Sequence, residues 1–184
     1  MQTAPGASLS DHDDPTTDDR RMPPTRRIRL FVGAALVVFA LDVITKQIAV
    51  ATLTGEAPQP LIGEILTLRL TRNPGAAFSV ATGYTSVLTV VSIVVILVVI
   101  WLARRVRSRL WAAAFGMLVG GAAGNLSDRL LRDPGPMRGH VVDFLELPNW
   151  PVFNLGDSAI VVAAALIVLQ SFRGVRLDGT RARA

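Results

Sequence analysis

Cysteine is absent from this 184-residue chain, and histidine occurs only twice, at His12 and His140. The first absence excludes disulfides, thiolate catalysis and metal sites with sulfur ligands. The second leaves no set of imidazoles for a multi-histidine metal centre. His12 also lies in a polar segment before the first apolar run, so a Ser-His-Asp triad has little to build on. Charge is scarce as well: 18% of residues are charged against 51% hydrophobic, and the mean hydropathy is +0.44. Uncharged runs long enough to cross a bilayer recur along the chain, which points to an integral membrane protein rather than a soluble domain.

The charge that remains is unevenly placed. The net value of +5 would suggest nucleic acid in a soluble protein, but here position matters more than the total. Arg20, Arg21, Arg26, Arg27 and Arg29 precede or begin the first apolar run. Arg104, Arg105, Arg107 and Arg109 fill a short loop, and Arg173, Arg176, Arg181 and Arg183 end the chain. Those groups hold 13 of the 19 basic residues. The other two loops hold Arg69 and Arg72, and Arg129, Arg132 and Arg138. By the positive-inside rule both termini and the short loop face the cytoplasm. Four helices are then expected, at about residues 30–52, 80–103, 110–127 and 153–172, with two long loops outside that can meet over one site. Residues 1–28, dominated by Asp, Pro, Thr and Arg, are expected to be a disordered cytoplasmic tail. Residues 29–173 form the membrane domain, and residues 174–184 a second cytoplasmic tail. The first apolar run is expected to remain as a helix, because it is long and no small-residue cleavage site follows it.

Within the first outer loop, Glu64 to Arg72 alternates. Leu66, Leu68 and Leu70 fall on one face and Thr67, Arg69 and Thr71 on the other, which predicts a half-buried strand in a small external sheet. Asn73-Pro74-Gly75 then punctuates a turn. It is either a plain turn or a place where Asn73 and Gly75 hold a substrate backbone, glycine offering no side chain to obstruct the approach.

Polar residues gather at the helix ends around the stretch Gly120–Ile160. Asp42 and Lys46, four apart, share one face of the first helix and can pair. At membrane depth such a pair must face protein or water, either to fix helix packing or to serve a site. Asn125, Asp128 and Arg129 share one face of the third helix. Gly120, Gly121 and Gly124 before them permit close helix contact. Asp128 and Arg129 are sequence neighbours, so each needs a different partner. Asp157 opens the fourth helix, with Asn154 three residues earlier, and capping alone would account for a carboxylate there. Asp143 is harder to explain, because its neighbours Val141, Val142, Phe144 and Leu145 are apolar. The segment Glu146 to Pro151, with two prolines and Trp150, reads as an interfacial loop or helix lying along the surface. It can return Asp143 to the side of Asp157. Two carboxylates in contact share a proton near neutral pH. The ionised one can deprotonate water while the protonated one donates a hydrogen bond to a carbonyl, which is equipment for amide hydrolysis without a metal; the proton belongs to the pair.

Taken in order, Asp42-Val43-Ile44-Thr45-Lys46, Asn73 to Ser79, Gly120 to Arg129, Val142-Asp143-Phe144 and Phe153 to Ser158 resemble the successive motifs of the lipoprotein signal peptidases, or signal peptidase II. The resemblance covers about residues 30–172. It implies an all-α inner-membrane aspartic peptidase of four transmembrane helices, with a small external β-sheet and an external interfacial loop or helix. Such an enzyme removes the signal peptide from bacterial prolipoproteins just before a diacylglyceryl cysteine. The implied catalytic residues are Asp143 and Asp157. The implied supporting residues are Asp42, Lys46, Asn73, Gly75, Asn125, Asp128, Arg129 and Asn154. No metal or cofactor is implied. The implied partners are lipid-modified prolipoproteins and membrane lipid, not nucleic acid, with the enzyme a monomer. One departure is Gly156, where the family usually has Ala.

Three other readings compete. Membrane carboxylates beside Arg or Lys also suit a proton-coupled transporter, although here only Asp42 and Lys46 lie away from one surface. A non-catalytic assembly protein would use the same groups to pin helices. A metallopeptidase would have to rely on Asp143, Asp157 and His140, a weak ligand set. Cleavage of a lipidated precursor, and its indifference to chelators, separates them.

Overall fold

The computed structural model describes residues 27–75 and 85–181. The expected N-terminal tail (apart from its last two residues), the Ala76–Ser79 part of the Asn73–Ser79 motif, the expected helix start at Val80 and Arg183 lie outside the described residues. Among the described residues four helices and three strands follow in the order α1 (Ile28–Leu53), β1 (Gln59–Ile62), β2 (Leu66–Asn73), α2 (Thr85–Ala103), α3 (Arg109–Leu131), β3 (Val141–Glu146) and α4 (Leu155–Phe172). All four helices are long and apolar enough to cross a membrane. In lipid a helix satisfies its own backbone, so even the β-branched run of α2 is helical. Its Val87, Val90, Val91, Val94 and Val98 are exposed, while Thr89, Val99 and Ala103 turn inward.

α3 is the central helix, packed against α1, α2 and α4. Small residues allow this. A methyl group built on Gly120 would lie 2.5 Å from the Ala35 carbonyl oxygen of α1, and one on Gly121 would collide with the Gly156 carbonyl of α4. The backbones meet because neither carries a side chain. α3 runs a full turn beyond its expected end, to Leu131, so Asp128 and Arg129 are helical rather than terminal.

The ends of the bundle differ. At one end the Arg27 N–H donates to the Val106 carbonyl, and the chain after α4 folds back beneath α3. There the Trp111 indole donates to the Val175 carbonyl at 2.9 Å, and the Arg107 and Ser108 amides both meet the Leu177 carbonyl. Residues 174–181 are therefore tied to the bundle rather than trailing from it. Phe31, Val99, Ala103, Val106, Trp111, Phe115 and Val119 form the core at this end.

The three-stranded antiparallel sheet, ordered β1-β2-β3, lies at the other end. Val142 and Phe144 of β3 pack on Ala49 and Leu53 of α1, with Leu68 and Leu70 alongside. β3 is a strand the sequence did not predict, and it takes in Glu146, the first residue of the expected surface segment; residues 147–154 form an irregular connection to α4. The β2–β3 ladder carries one irregularity. Leu68 pairs with Leu145, but Thr71 pairs with Asp143, so three steps along β2 answer two along β3. Such an extra residue reverses the alternation of side chains beyond it.

Candidate active site

The site is built on the first turn of α4. Asn154 is the N-cap, in extended conformation, and its Oδ1 accepts the Asp157 backbone N–H at 2.8 Å. In return Asp157 Oδ2 accepts the Asn154 backbone N–H at 3.2 Å, closing a reciprocal capping box. Asp157 therefore occupies the third helical position, where the positive end of the helix dipole favours a carboxylate. The Asn154 Nδ2 points away from the helix and donates to Asp143 Oδ1 at 2.6 Å. One fully buried carboxamide thus touches both aspartate residues.

Asp143 comes from β3, and its second oxygen is held by β2. Asn73 Nδ2 donates to Asp143 Oδ2 at 2.9 Å, while Asn73 Oδ1 accepts the Gly75 N–H at 2.8 Å. The extra residue in β2 makes this possible. Asn73 pairs with Val141, two residues from Asp143, and so shares its face. Had the Leu68–Leu145 register continued, Arg72 would occupy that face instead. Asp157 Oδ1 accepts from Asn125 Nδ2 at 2.7 Å. Each of the four carboxylate oxygens thus receives one N–H from a neutral amide.

Asp143 is only 2% exposed. Burial pushes its carboxyl up to about 6; the Asn73 amide opposes this, the Asp157 charge adds to it, and Asn154 and Lys46 pull down.

Beneath the two aspartates lies a second layer of charge. Lys46 Nζ is 2.7 Å from Asp42 Oδ2, 3.2 Å from Asp128 Oδ2 and 2.7 Å from Asn125 Oδ1. Asp42 Oδ1 accepts the Gly156 N–H at 2.7 Å. Asp128 Oδ2 accepts the Val142 N–H at 3.1 Å, and its other oxygen pairs with Arg132. Gly124 has to be glycine here, because a methyl group on it would collide with the Asp42 carboxylate.

Arg129 stands apart from this network. Its Nε and Nη1 are buried and have no hydrogen-bond partner among the described residues. Gly75, at φ +110°, lies beside it: a methyl group there would sit 3.3 Å from Arg129 Nη1 and 2.5 Å from Leu88 Cδ1.

The fold brings Asp42, Lys46, Asn73, Gly75, Asn125, Asp128, Arg129, Asp143, Asn154 and Asp157 to one end of the bundle. Asn73 turns its carboxamide to Asp143 and Gly75. The partner of Asp128 missed in the sequence is Arg132, and its i, i+4 spacing was the available signal. The Val142 and Gly156 amides carry no side-chain signal at all.

A four-helix membrane protein with two carboxylates joined through shared amides at one end of the bundle belongs among the polytopic membrane enzymes. A solved bacterial membrane enzyme, determined by the in meso method at 1.9 Å, has the same fold at a TM-score of 0.72 and 25% identity, covering 83% of this chain and 98% of that one. The family described as Signal peptidase (SPase) II matches residues 34–173. The lipoprotein signal peptidase of Mycobacterium avium (strain 104) is 50% identical over 155 residues, 84% of this chain and 85% of that protein. That of Rhodococcus jostii (strain RHA1) is 50% identical over 171 residues, 92% and 86%. The chain belongs to the signal peptidase II family, the lipoprotein signal peptidases of bacterial membranes.

Proposed function

We propose that this chain is an aspartic endopeptidase that removes the signal peptide from diacylglyceryl-modified prolipoproteins, cutting before the lipidated cysteine, with Asp143 and Asp157 as its catalytic pair. The observation that carries the reading is the Asn154 carboxamide, which binds Asp143 and caps the turn that presents Asp157. Buried Asp143, with its carboxyl raised to about 6, supports a proton shared at neutral pH. In the forward step the ionised carboxylate takes a proton from water as the water oxygen bonds to the scissile carbonyl carbon. The protonated carboxyl gives its proton to the carbonyl oxygen. Collapse of the tetrahedral intermediate breaks the C–N bond, returns one proton to a carboxylate and delivers another to the departing amine.

Asn73, Asn125 and Asn154 hold the carboxylates in this reading, and Asp42, Lys46 and Asp128 support them from below. Arg129, whose Nε and Nη1 have no partner among the described residues and which lies beside the bare Gly75, binds the substrate backbone. The enzyme acts as a monomer with lipid around it. The decisive assay is cleavage of a diacylglyceryl precursor peptide in detergent, in the presence of chelator, beside its unlipidated form. Equal cleavage of both forms would sink the substrate assignment, and loss with chelator the metal-free mechanism.

The orientation follows from charge. The Arg104–Arg109 loop faces the cytoplasm with both termini, and the sheet end faces outward. This cysteine-free chain suits single-cysteine labelling. Val106 is buried and would not report, whereas Arg104 and Leu61 are exposed. An impermeant maleimide is expected to label Leu61→Cys in intact cells and to spare Arg104→Cys until the membrane is permeabilised. Prior labelling at 104 would invert the topology.

A further inference from the structure

We propose that Lys46 is the positioning residue that sets the spacing between the two aspartates, an inference that rests on reading Asp143 and Asp157 as the catalytic pair. The argument starts one residue before each of them. The Gly156 N–H, preceding Asp157, is held by Asp42 Oδ1 at 2.7 Å. The Val142 N–H, preceding Asp143, is held by Asp128 Oδ2 at 3.1 Å. Each aspartate therefore hangs from a backbone amide that is fixed by a different buried carboxylate, one on α1 and one on α3.

Those two carboxylates repel each other, and Lys46 lies between them, at 2.7 Å from Asp42 and 3.2 Å from Asp128. Its side chain is fully buried. Besides these two ion pairs, the ammonium donates a hydrogen bond to Asn125 Oδ1 at 2.7 Å. Because an ammonium can only donate, it turns the Asn125 oxygen toward itself and leaves Nδ2 for Asp157. One compact charge thus fixes the supports of both aspartates and the direction of a carboxamide that touches one of them. A planar guanidinium of larger volume would not meet three such convergent acceptors in this space. Lys46 touches neither aspartate oxygen by hydrogen bond, so it acts through Asp42, Asp128 and Asn125.

The test uses the full chain in detergent with a diacylglyceryl precursor peptide, comparing Lys46→Met with the charge-balanced pair Asp42→Asn/Lys46→Met. In Lys46→Met, kcat per folded molecule is expected to fall by about 10²-fold or more, the loss typical of a misplaced catalytic group, while KM stays within about threefold. Its pH profile moves to higher pH. The charged groups that face Asp143 are Asp157 from α4, Arg129 from α3 and Lys46 from α1, and only the last is removed. In the double variant, which leaves no unpaired carboxylate on α1, kcat stays low and the profile stays shifted. A folded variant with unchanged kcat and pH profile, whatever its melting temperature, overturns the proposal. So does failure of both variants to fold, which assigns Lys46 to helix packing. Turnover that survives Asp143→Asn would instead overturn the catalytic pair itself, independently of the Lys46 result.

Discussion

Asp143→Asn and Asp157→Asn are each expected to lower turnover by about 10³-fold or more, since an amide can neither take a proton from water nor release one. The changes preserve size but not hydrogen bonding. Asp143 accepts one N–H on each oxygen, from Asn154 and Asn73. An asparagine there must present its own NH₂ to one of those donors, and the Asn73 carboxamide cannot turn freely while it accepts from Gly75. A modest loss of stability, about 1–3 kcal/mol, is therefore expected alongside the loss of activity. Monodispersity and melting temperature have to be read for each variant.

A second readout is free of substrate. Asp143 has its carboxyl raised from 3.8 to about 6 in the folded protein. Between those values the native state binds more protons than the unfolded chain, so this group contributes stability that is complete below about 3.8 and is lost as pH rises through 6. The melting temperature of the parent should fall over that window, and Asp143→Asn should remove this component. Near-normal turnover in either folded variant would return the aspartates to a structural role.

Asn154→Ala is expected to combine two losses. Removing the cap of α4 costs about 1 kcal/mol, and removing Nδ2 frees Asp143 Oδ1. Turnover should fall about 10²-fold through misplacement of the pair. Asn154→Ser separates the two effects. Serine caps a helix as well as asparagine does, so stability should recover, but its shorter side chain cannot also reach Asp143. If Asn154→Ser restores turnover together with stability, the tie between Asn154 and Asp143 has no catalytic importance.

The helices were legible in the sequence because lipid imposes one solution on a long uncharged run. Asp143 stood out because a carboxylate among Val142, Phe144 and Leu145 calls for a reason, whereas Asp157 could be read as a helix cap and drew notice only beside it. β3 was less legible: its run from Val141 to Leu145 is too short for periodicity to separate strand from surface segment, although its β-branched residues favoured a strand. What could not be read was tertiary. Lys46 meets Asn125 across 79 residues of sequence, and the backbone amides of Val142 and Gly156 have no side chain to betray their partners. The extra residue of β2 was hidden for the same reason, since it exists only relative to the register of β3.

That extra residue gives β2 one place where its length can change without harm to the site. Between the Leu68–Leu145 and Thr71–Asp143 pairs, Arg69 and Leu70 together answer Phe144 alone. Loss of either would leave one residue opposite one, and Thr71 would still meet Asp143 and Asn73 still meet Val141. The slack lies upstream of the chemistry: the strand can shed a residue there and close into a regular ladder, while the neutral donor beside Asp143 keeps its place.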